Sequence, residues 1–139
     1  MPLALSIYTD AGARGNPGPS AIAVLIFQEG KPLKQHSEYI GTATNNQAEY
    51  RAVIKGLELA KEAGAGEIRV FSDSELVCSQ LKGEYKVKNR GLKPLYEKAK
   101  SLEKGFQKVS YFSLPRENPR TRLADRLVNR ILDSRKAKS

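Results

Sequence analysis

Residues 3–19 have the sequence LALSIYTDAGARGNPGP, an apolar run that stops at an acid and continues into a Gly/Asn/Pro cluster. The pattern predicts a strand over Leu3–Thr9 with Asp10 at its end, followed by a tight loop over Gly12–Pro19. A second strand is predicted over Ala21–Gln28. In mixed α/β sheets, ligands collect beyond the carboxyl ends of the strands, which makes Asp10 a candidate site residue.

The rest of the chain predicts an α/β fold. The turn at Glu29–Pro32 indicates that strands 1–3 form an antiparallel meander. The order of strand, helix and strand that follows indicates a parallel pairing inside a mixed sheet. The further predicted elements are a strand over Leu33–Ile40, a helix from the cap Thr44-Asn45-Asn46 to about Ala63, a strand over Ile68–Ser72, helices over Glu75–Leu81 and Leu92–Leu102, a strand over Lys108–Leu114, a loop over Pro115–Pro119 and a helix over Thr121–Leu132.

With 139 residues the chain fits a single domain, which we place at residues 1–133. Residues 134–139 are predicted to be a disordered basic tail. The N-terminal segment lacks a basic region followed by a long apolar stretch, so we expect a cytoplasmic protein without a membrane span, and a monomer. The single cysteine, Cys78, excludes an internal disulfide and is predicted to be buried.

The charge is strongly basic and unevenly distributed. The net charge of +9 comes from 24 Lys and Arg residues against 15 Asp and Glu residues. Residues 1–79 hold 7 basic and 9 acidic residues, residues 80–115 hold 9 and 3, and residues 116–139 hold 8 and 3. Such asymmetry indicates a nucleic-acid or other anionic partner for the second half, although some of these side chains serve solubility alone.

Four acids are candidates for a shared site: Asp10, Glu49, Asp73 and Asp125. Asp10 and Asp73 follow predicted strands, Glu49 lies in the predicted first turn of a helix, and Asp125 lies within the last helix beside apolar residues. Any one of them alone has a structural alternative as a helix cap, a surface charge or an ion-pair partner. Four acids in such settings favour convergence into one cluster.

A cluster of carboxylates requires cations, because crowded negative charges repel one another. Oxygen ligands without His or thiolate favour Mg²⁺ or Mn²⁺ over zinc. Two such ions about 4 Å apart activate a water and stabilise the leaving oxygen of a phosphodiester. The sequence therefore favours metal-dependent cleavage of an anionic polymer, which needs no nucleophilic side chain.

Four segments carry a resemblance to a known family: YTDAGARGNPGP at residues 8–19, TNNQAE at residues 44–49, FSDS at residues 71–74 and ADRL at residues 124–127. Together they resemble type 1 ribonuclease H, and the resemblance spans nearly the whole chain. It implies a five-stranded mixed sheet in the order 3-2-1-4-5, with strands 1–3 antiparallel and helices on both faces. It also implies endonucleolytic cleavage of the RNA strand of RNA/DNA hybrids, which leaves 5′-phosphate and 3′-hydroxyl ends.

The resemblance assigns roles to individual residues. Asp10, Glu49, Asp73 and Asp125 match the catalytic carboxylates, which bind two Mg²⁺ ions with Mn²⁺ as a substitute. The residues that match substrate-binding positions are Asn16, Asn45 and Asn46 at the minor groove, and Thr44 and Asn89, with the adjacent Lys88, at a DNA phosphate. Without the family, Asn16 is read as a turn residue, Asn45 as a helix cap and Asn89 as a solvated loop residue.

The sequence also departs from the family pattern. The segment over residues 115–123 lacks the His that many members carry before the fourth acid, and we hypothesise that Arg116 takes a comparable place in product release. The chain resembles archaeal members in lacking a long basic protrusion, and we expect no hybrid-binding domain before Leu3. The alternatives are a nuclease of the same fold acting on double-stranded RNA or DNA junctions, and a hybrid-binding protein that does not cleave.

Overall fold

The computed structural model describes residues 3–137 of the chain, with side chains through Arg135. Five strands and four helices make up this part. In chain order they are β1 (Leu3–Ala13), β2 (Gly18–Gln28), β3 (Lys31–Ala43), α1 (Asn45–Glu62), β4 (Ala65–Ser72), α2 (Glu75–Leu81), α3 (Lys93–Glu103), β5 (Lys108–Ser113) and α4 (Pro119–Ala137).

The predicted topology is confirmed. The sheet has the order β3-β2-β1-β4-β5, in which β1, β2 and β3 are antiparallel, and β1 with β4 and β4 with β5 are parallel. Every element predicted from the sequence is present. The predicted fold class, a five-stranded mixed α/β sheet, is therefore the observed one.

The first strands are longer than predicted, which corrects the loop over Gly12–Pro19. The β1–β2 ladder continues to Ala13 and Ser20, and the Arg14 backbone N–H donates to the Pro19 carbonyl at 2.8 Å. Glycine and proline usually interrupt strands, whereas the antiparallel pairing here continues through Gly12, Gly18 and Pro19. Only residues 14–17 form the connecting turn.

Helix α1 begins as predicted, at a cap on Thr44. The Thr44 hydroxyl accepts a hydrogen bond from the Gln47 N–H at 3.1 Å, and the Gln47 side chain accepts one from the Thr44 N–H at 2.9 Å. This reciprocal pair is a capping box, which satisfies two backbone donors that a helix start otherwise leaves free.

Helix α4 is longer than predicted at both ends. It begins at Pro119 because the Asn118 side-chain oxygen accepts hydrogen bonds from the Arg120 and Thr121 N–H groups, and proline is well suited to a first helical position. It continues through Ala137, so the predicted disordered tail is helical over residues 134–137. Residues 138 and 139 lie outside the described part of the chain.

Two hydrophobic cores lie on opposite faces of the sheet. The larger core packs α1, α2 and α3 against one face and includes Leu5, Ile7, Leu57 and the predicted buried Cys78. The smaller core packs α4 against the β2 side of the other face. No helix within residues 3–137 is both long and apolar enough to cross a membrane.

Gly56 marks the closest approach of α1 to the sheet. A Cβ atom at this position would lie 2.8 Å from Cγ2 of the fully buried Ile7. We expect Gly56→Ala to lower the free energy of unfolding by about 1 to 2 kcal/mol, because overpacking outweighs the gain of about 1 kcal/mol in helix propensity. Urea unfolding measures the change.

Gly105→Ala is the matched control for this prediction, because its Cβ would meet no atom nearer than 3.4 Å. Equal stability changes for the two variants would contradict the proposed close contact at Gly56.

Candidate active site

Asp10 and Asp73 lie side by side because of the way β1 and β4 pair. Their parallel pairing ends at Tyr8 and Phe71, and each acid follows two residues later on its own chain segment. The prediction that β1 ends at Asp10 is wrong, because Asp10 remains paired with Ala23 of β2. Its predicted position at the carboxyl edge of the parallel ladder is confirmed.

Glu49 reaches the same edge from α1. It is the fifth helical residue after the Thr44 cap, so it lies just beyond the first turn rather than within it. One carboxylate oxygen each from Asp10, Glu49 and Asp73 lie within 4.8 Å of one another. Three of the four predicted acids therefore form a close triad.

The triad is electrostatically strained, with Asp10 buried and Glu49 and Asp73 half-buried. Burial, together with the charges of Asp73 and Asp125, raises the pKa of Asp10 from 3.8 to about 8. Burial and the charges of Asp10 and Asp73 raise the pKa of Glu49 well above its usual value. Both shifts favour the neutral acid, because each carboxylate lacks water and faces like charges.

The same acids have unused acceptor atoms. Asp10 Oδ2 and Glu49 Oε1 are buried and accept no hydrogen bond from any described residue. Buried polar atoms are normally paired, so two unpaired oxygens in one cluster indicate a missing partner. A hard divalent cation fits this set, because carboxylate oxygens are the ligands that such ions prefer.

Asp125 borders the triad without being part of it. It lies one helical turn before Asn129 on α4, and Asn129 Nδ2 donates to Asp125 Oδ2 at 3.2 Å. Asn129 Oδ1 in turn accepts a hydrogen bond from Arg14 Nη2 at 3.2 Å. Because both ends of the Asn129 amide are engaged, the orientation of the Asp125 carboxylate is set from the outer side.

Arg116 reaches the site from the loop between β5 and α4. Its Nε donates to Asp73 Oδ2 at 3.3 Å, while 73% of its side chain is exposed and only 11% of the Asp73 side chain is. The hydrogen bond and the charge of Asp73 raise the pKa of Arg116 above its usual value. The structure therefore places Arg116 beside the acids, as its sequence position suggested.

The predicted minor-groove residues lie together at the start of α1. The Asn45 N–H donates to Asn16 Oδ1 at 3.0 Å, and the Ala13 N–H donates to Asn45 Oδ1 at 3.1 Å. These bonds use the amide oxygens and leave the Nδ2 donors without a partner among residues 3–137. Asn46 is exposed and lines the same cleft as Asn45.

Asn89 has a structural role that the loop interpretation missed. Its Oδ1 accepts hydrogen bonds from the N–H groups of Gly91 and Leu92 at 2.7 and 3.2 Å, which orders the approach to α3. A Cβ at Gly91 would lie 3.0 Å from Gln47 Nε2, so this turn packs on the Thr44 capping box. Thr44 and Asn89 therefore lie close together, and Lys88 is exposed beside them.

One cleft of about 410 Å³ joins Asn45 and Asn46 to three of the four acids. It runs from the amides at the start of α1 across the acids to α4. The residues that line it include Asn45, Asn46, Glu49, Asp73, Ser74, Arg116, Asp125 and Asn129. Glu49, Asp73 and Asp125 thus line an open groove that is accessible to a large substrate, whereas Asp10 is buried and is not among the lining residues.

Sequence reasoning missed two residues that hold this site in place. The sequence does indicate a role for Asn129, because residues four apart on a helix share a face and Asp125 precedes it by four. No sequence pattern indicates a role for Arg120. Its guanidinium lies 3.8 Å from the Phe27 ring centroid and donates to the Tyr8 hydroxyl at 3.2 Å. Tyr8 and Phe27 come from different strands, so only the folded chain brings them to Arg120.

Comparisons with known proteins agree on one family. A family model described as reverse transcriptase-like matches residues 8–131. The bifunctional protein Rv2228c of Mycobacterium tuberculosis is 41% identical over 130 residues, which cover 92% of this chain and 35% of that protein. This chain therefore spans about a third of the length of the curated relatives that match it first.

Two solved structures are similar over their full length. The RNase H1 from the halophilic archaeon Halobacterium salinarum has a TM-score of 0.89 and 36% identity, with 94% of this chain and 98% of that chain covered. LC11-RNase H1 in complex with RNA/DNA hybrid has a TM-score of 0.88 and 42% identity, with 97% and 99% covered. The chain therefore belongs to the reverse transcriptase-like family and, within it, to the type 1 ribonuclease H proteins.

Proposed function

We propose that this chain is an endoribonuclease that hydrolyses the RNA strand of RNA/DNA hybrids, with Mg²⁺ as its metal and Mn²⁺ as a substitute. The observation that carries this proposal is the triad of Asp10, Glu49 and Asp73, which has two unpaired buried oxygens and adjoins an open cleft that Glu49 and Asp73 line. The similar LC11-RNase H1, which was solved in complex with RNA/DNA hybrid, supports the substrate.

The proposed mechanism divides the work among the acids. Asp10 and Asp73 would hold the metal ions, Glu49 would hold one of them and orient the nearby ribose, and Asp125 would complete the set from α4. A bound pair of ions would supply activation of a water and stabilisation of the leaving oxygen, and this chemistry would give 5′-phosphate and 3′-hydroxyl ends. Asn129 keeps Asp125 in position for this role through its hydrogen bond.

The Asn side-chain amides near the start of α1 are proposed to distinguish the RNA strand from the DNA strand. Since the oxygens of Asn16 and Asn45 already accept backbone hydrogen bonds, their free Nδ2 groups are available to donate. The 2′-hydroxyl of RNA accepts such a bond, and DNA has no equivalent group in the minor groove. Thr44, Lys88 and Asn89 are the residues that we propose to bind a phosphate of the DNA strand; Lys88 and Asn89 are exposed.

Cleavage of labelled duplexes tests the proposed activity. We expect the protein to cut RNA in an RNA/DNA hybrid with Mg²⁺ or Mn²⁺, and to leave RNA/RNA and DNA/DNA duplexes intact. EDTA should abolish cleavage. Asp10→Asn and Asp73→Asn should each lower cleavage by roughly 100- to 1,000-fold or more. Hybrid binding should survive or improve, because each change removes a negative charge that repels phosphate.

Glu67→Gln is the matched control, because Glu67 is an exposed acid on β4. Cleavage of RNA/RNA duplexes or DNA junctions instead would favour a different nuclease of this fold, and binding without cleavage would favour a hybrid-binding protein. Loss of hybrid binding in the Asn variants would assign the acids a structural role.

The raised pKa of Asp10 predicts that the stability of the metal-free protein depends on pH. The Asp10 carboxyl has a pKa of 3.8 in the unfolded chain and about 8 in the folded one, so the folded state binds more protons between these values. Its contribution to the free energy of unfolding is complete below pH 3.8 and is lost as pH rises through about 8. We expect Asp10→Asn to stabilise the metal-free protein at pH 9 by about 1.4 kcal/mol or more, the equivalent of one pKa unit.

At pH 5 the same substitution should have a smaller effect, because Asp10 is then largely neutral in the folded protein. Urea unfolding in EDTA at both pH values measures the difference, and Glu67→Gln again serves as the control. An effect of equal size at pH 5 and pH 9 would mean that Asp10 is not electrostatically strained.

Arg116 provides a test of the product-release hypothesis. Its guanidinium already lies beside Asp73 and is suited to hold a phosphate, although it cannot shuttle a proton at neutral pH. We expect Arg116→Ala to lower the turnover rate at saturating hybrid by roughly tenfold, since it removes a charged hydrogen bond. Steady-state kinetics measures the rate.

Arg69→Ala is the matched control, because Arg69 is an exposed arginine on β4 and its loss removes the same charge. Unchanged turnover in Arg116→Ala would refute the hypothesis and leave Arg116 as an ion-pair partner of Asp73.

A further inference from the structure

A second cleft of about 280 Å³ lies next to the acids on the side of α4. It is lined by Arg116, Glu117, Arg122, Asp125 and Arg126. Arg116 and Asp125 also line the larger cleft, so the two clefts adjoin each other. Whatever occupies the larger cleft therefore has a direct path into the smaller one.

The lining is cationic in spite of its position beside an acidic cluster. Three guanidinium groups face two carboxylates, and one of the carboxylates, Asp125, accepts a hydrogen bond from Asn129 on its other side. Arg122 and Arg126 are four residues apart on α4, so they lie on the same face about one turn from each other. They present two neighbouring guanidinium groups to one opening.

Neither Arg122 nor Arg126 has an acidic partner among the described residues, and both are exposed. Other arginines here are occupied: Arg14 pairs with Asp133 at 2.9 Å, and Arg116 pairs with Asp73 at 3.3 Å. Unpaired guanidinium groups have all five N–H donors free, in a planar fork that matches phosphate oxygens. The chemistry of this cleft therefore suits a phosphate group.

We propose that Arg122 and Arg126 form a subsite for a backbone phosphate of the RNA strand next to the phosphate that is cleaved. This inference rests on the proposed function, because it takes the hybrid as the substrate of the larger cleft. The subsite holds the strand that crosses the acids and so helps to fix which phosphate lies over them. It lies on α4, on the opposite side of the acids from the amides at the start of α1.

The experiment measures how much each single phosphate of the RNA strand contributes to binding, with and without the two arginines. Each hybrid carries one uncharged methylphosphonate linkage in the RNA strand, at a position that differs from hybrid to hybrid, next to a 2′-O-methyl group. The reference for each is a hybrid with the same 2′-O-methyl group and an ordinary phosphodiester. Binding is measured by fluorescence anisotropy with Asp10→Asn protein, which prevents cleavage. The same hybrids are then bound to Asp10→Asn protein that also carries Arg122→Ala and Arg126→Ala.

We expect one or two adjacent linkages to weaken binding by roughly 5- to 10-fold when neutralised, a modest value because the arginines are exposed. In the protein without the two arginines, neutralising those same linkages should have no effect. The slope of log affinity against log salt should also become shallower by about 1 to 2, roughly 1 for each lost phosphate contact.

Arg130→Ala in the same Asp10→Asn background is the matched control, because Arg130 is exposed on α4 and lies outside the cleft lining. The subsite is refuted if Arg130→Ala also removes the effect of neutralising those linkages. It is likewise refuted if neutralising each linkage weakens binding equally with and without Arg122 and Arg126. Cleavage by the wild-type protein tests the proposed function separately. If the protein cleaves hybrids but the linkage effect does not depend on Arg122 and Arg126, only the subsite is overturned. If the linkage effect depends on them but the protein does not cleave, only the enzyme assignment is overturned.

Discussion

The parallel pairing of β1 with β4 is the constraint on which the site depends. Because this pairing stops at Tyr8 and Phe71, Asp10 and Asp73 emerge together at one edge of the sheet. Asp10 lies within β1 and Asp73 directly follows β4, and each of these strands is paired on both sides within the sheet. The repulsion between the two acids therefore cannot be relieved by moving them apart without breaking the sheet.

Folding thus concentrates negative charge where water is scarce, and the surrounding residues respond to it. Arg116 neutralises Asp73 from the solvent side, whereas Asp10 and Glu49 keep unpaired oxygens on the buried side. Burial is the largest cause of the raised pKa values of Asp10 and Glu49, and the charges of the neighbouring acids add to it. A divalent cation at this position would relieve the strain and satisfy the unpaired atoms at the same time.

Helix α4 is held on the sheet by contacts that also govern the site. Arg120 lies over the rings of Phe27 and Tyr8, and Tyr8 stacks on Phe71 with ring centroids 4.7 Å apart. Since Tyr8 is two residues before Asp10, this contact joins the strand that bears one acid to the helix that bears Asp125. The position of Asp125 relative to the triad therefore depends on an aromatic and cationic contact on the face of the sheet.

The sequence by itself determined the order and type of the elements, because strand alternation, helix periodicity and caps such as Thr44 are local patterns. It also singled out all four acids, through their positions after strands and through the resemblance of their motifs. It misplaced the end of β1, because strand pairing continued through the glycine there, and the start of α4, because the Asn118 cap precedes Pro119. It also ended α4 at Leu132, whereas the helix continues through Ala137.

Only the tertiary structure decided which atoms meet. The 4.8 Å triad, the raised pKa of Asp10, and the contacts of Arg120 all depend on residues that are far apart in the chain. The partly separate place of Asp125, and the unpaired arginines next to it on α4, likewise follow from how that helix docks. Local patterns do not encode such distances, because the register of the strands and the packing of α4 arise from many contacts at once.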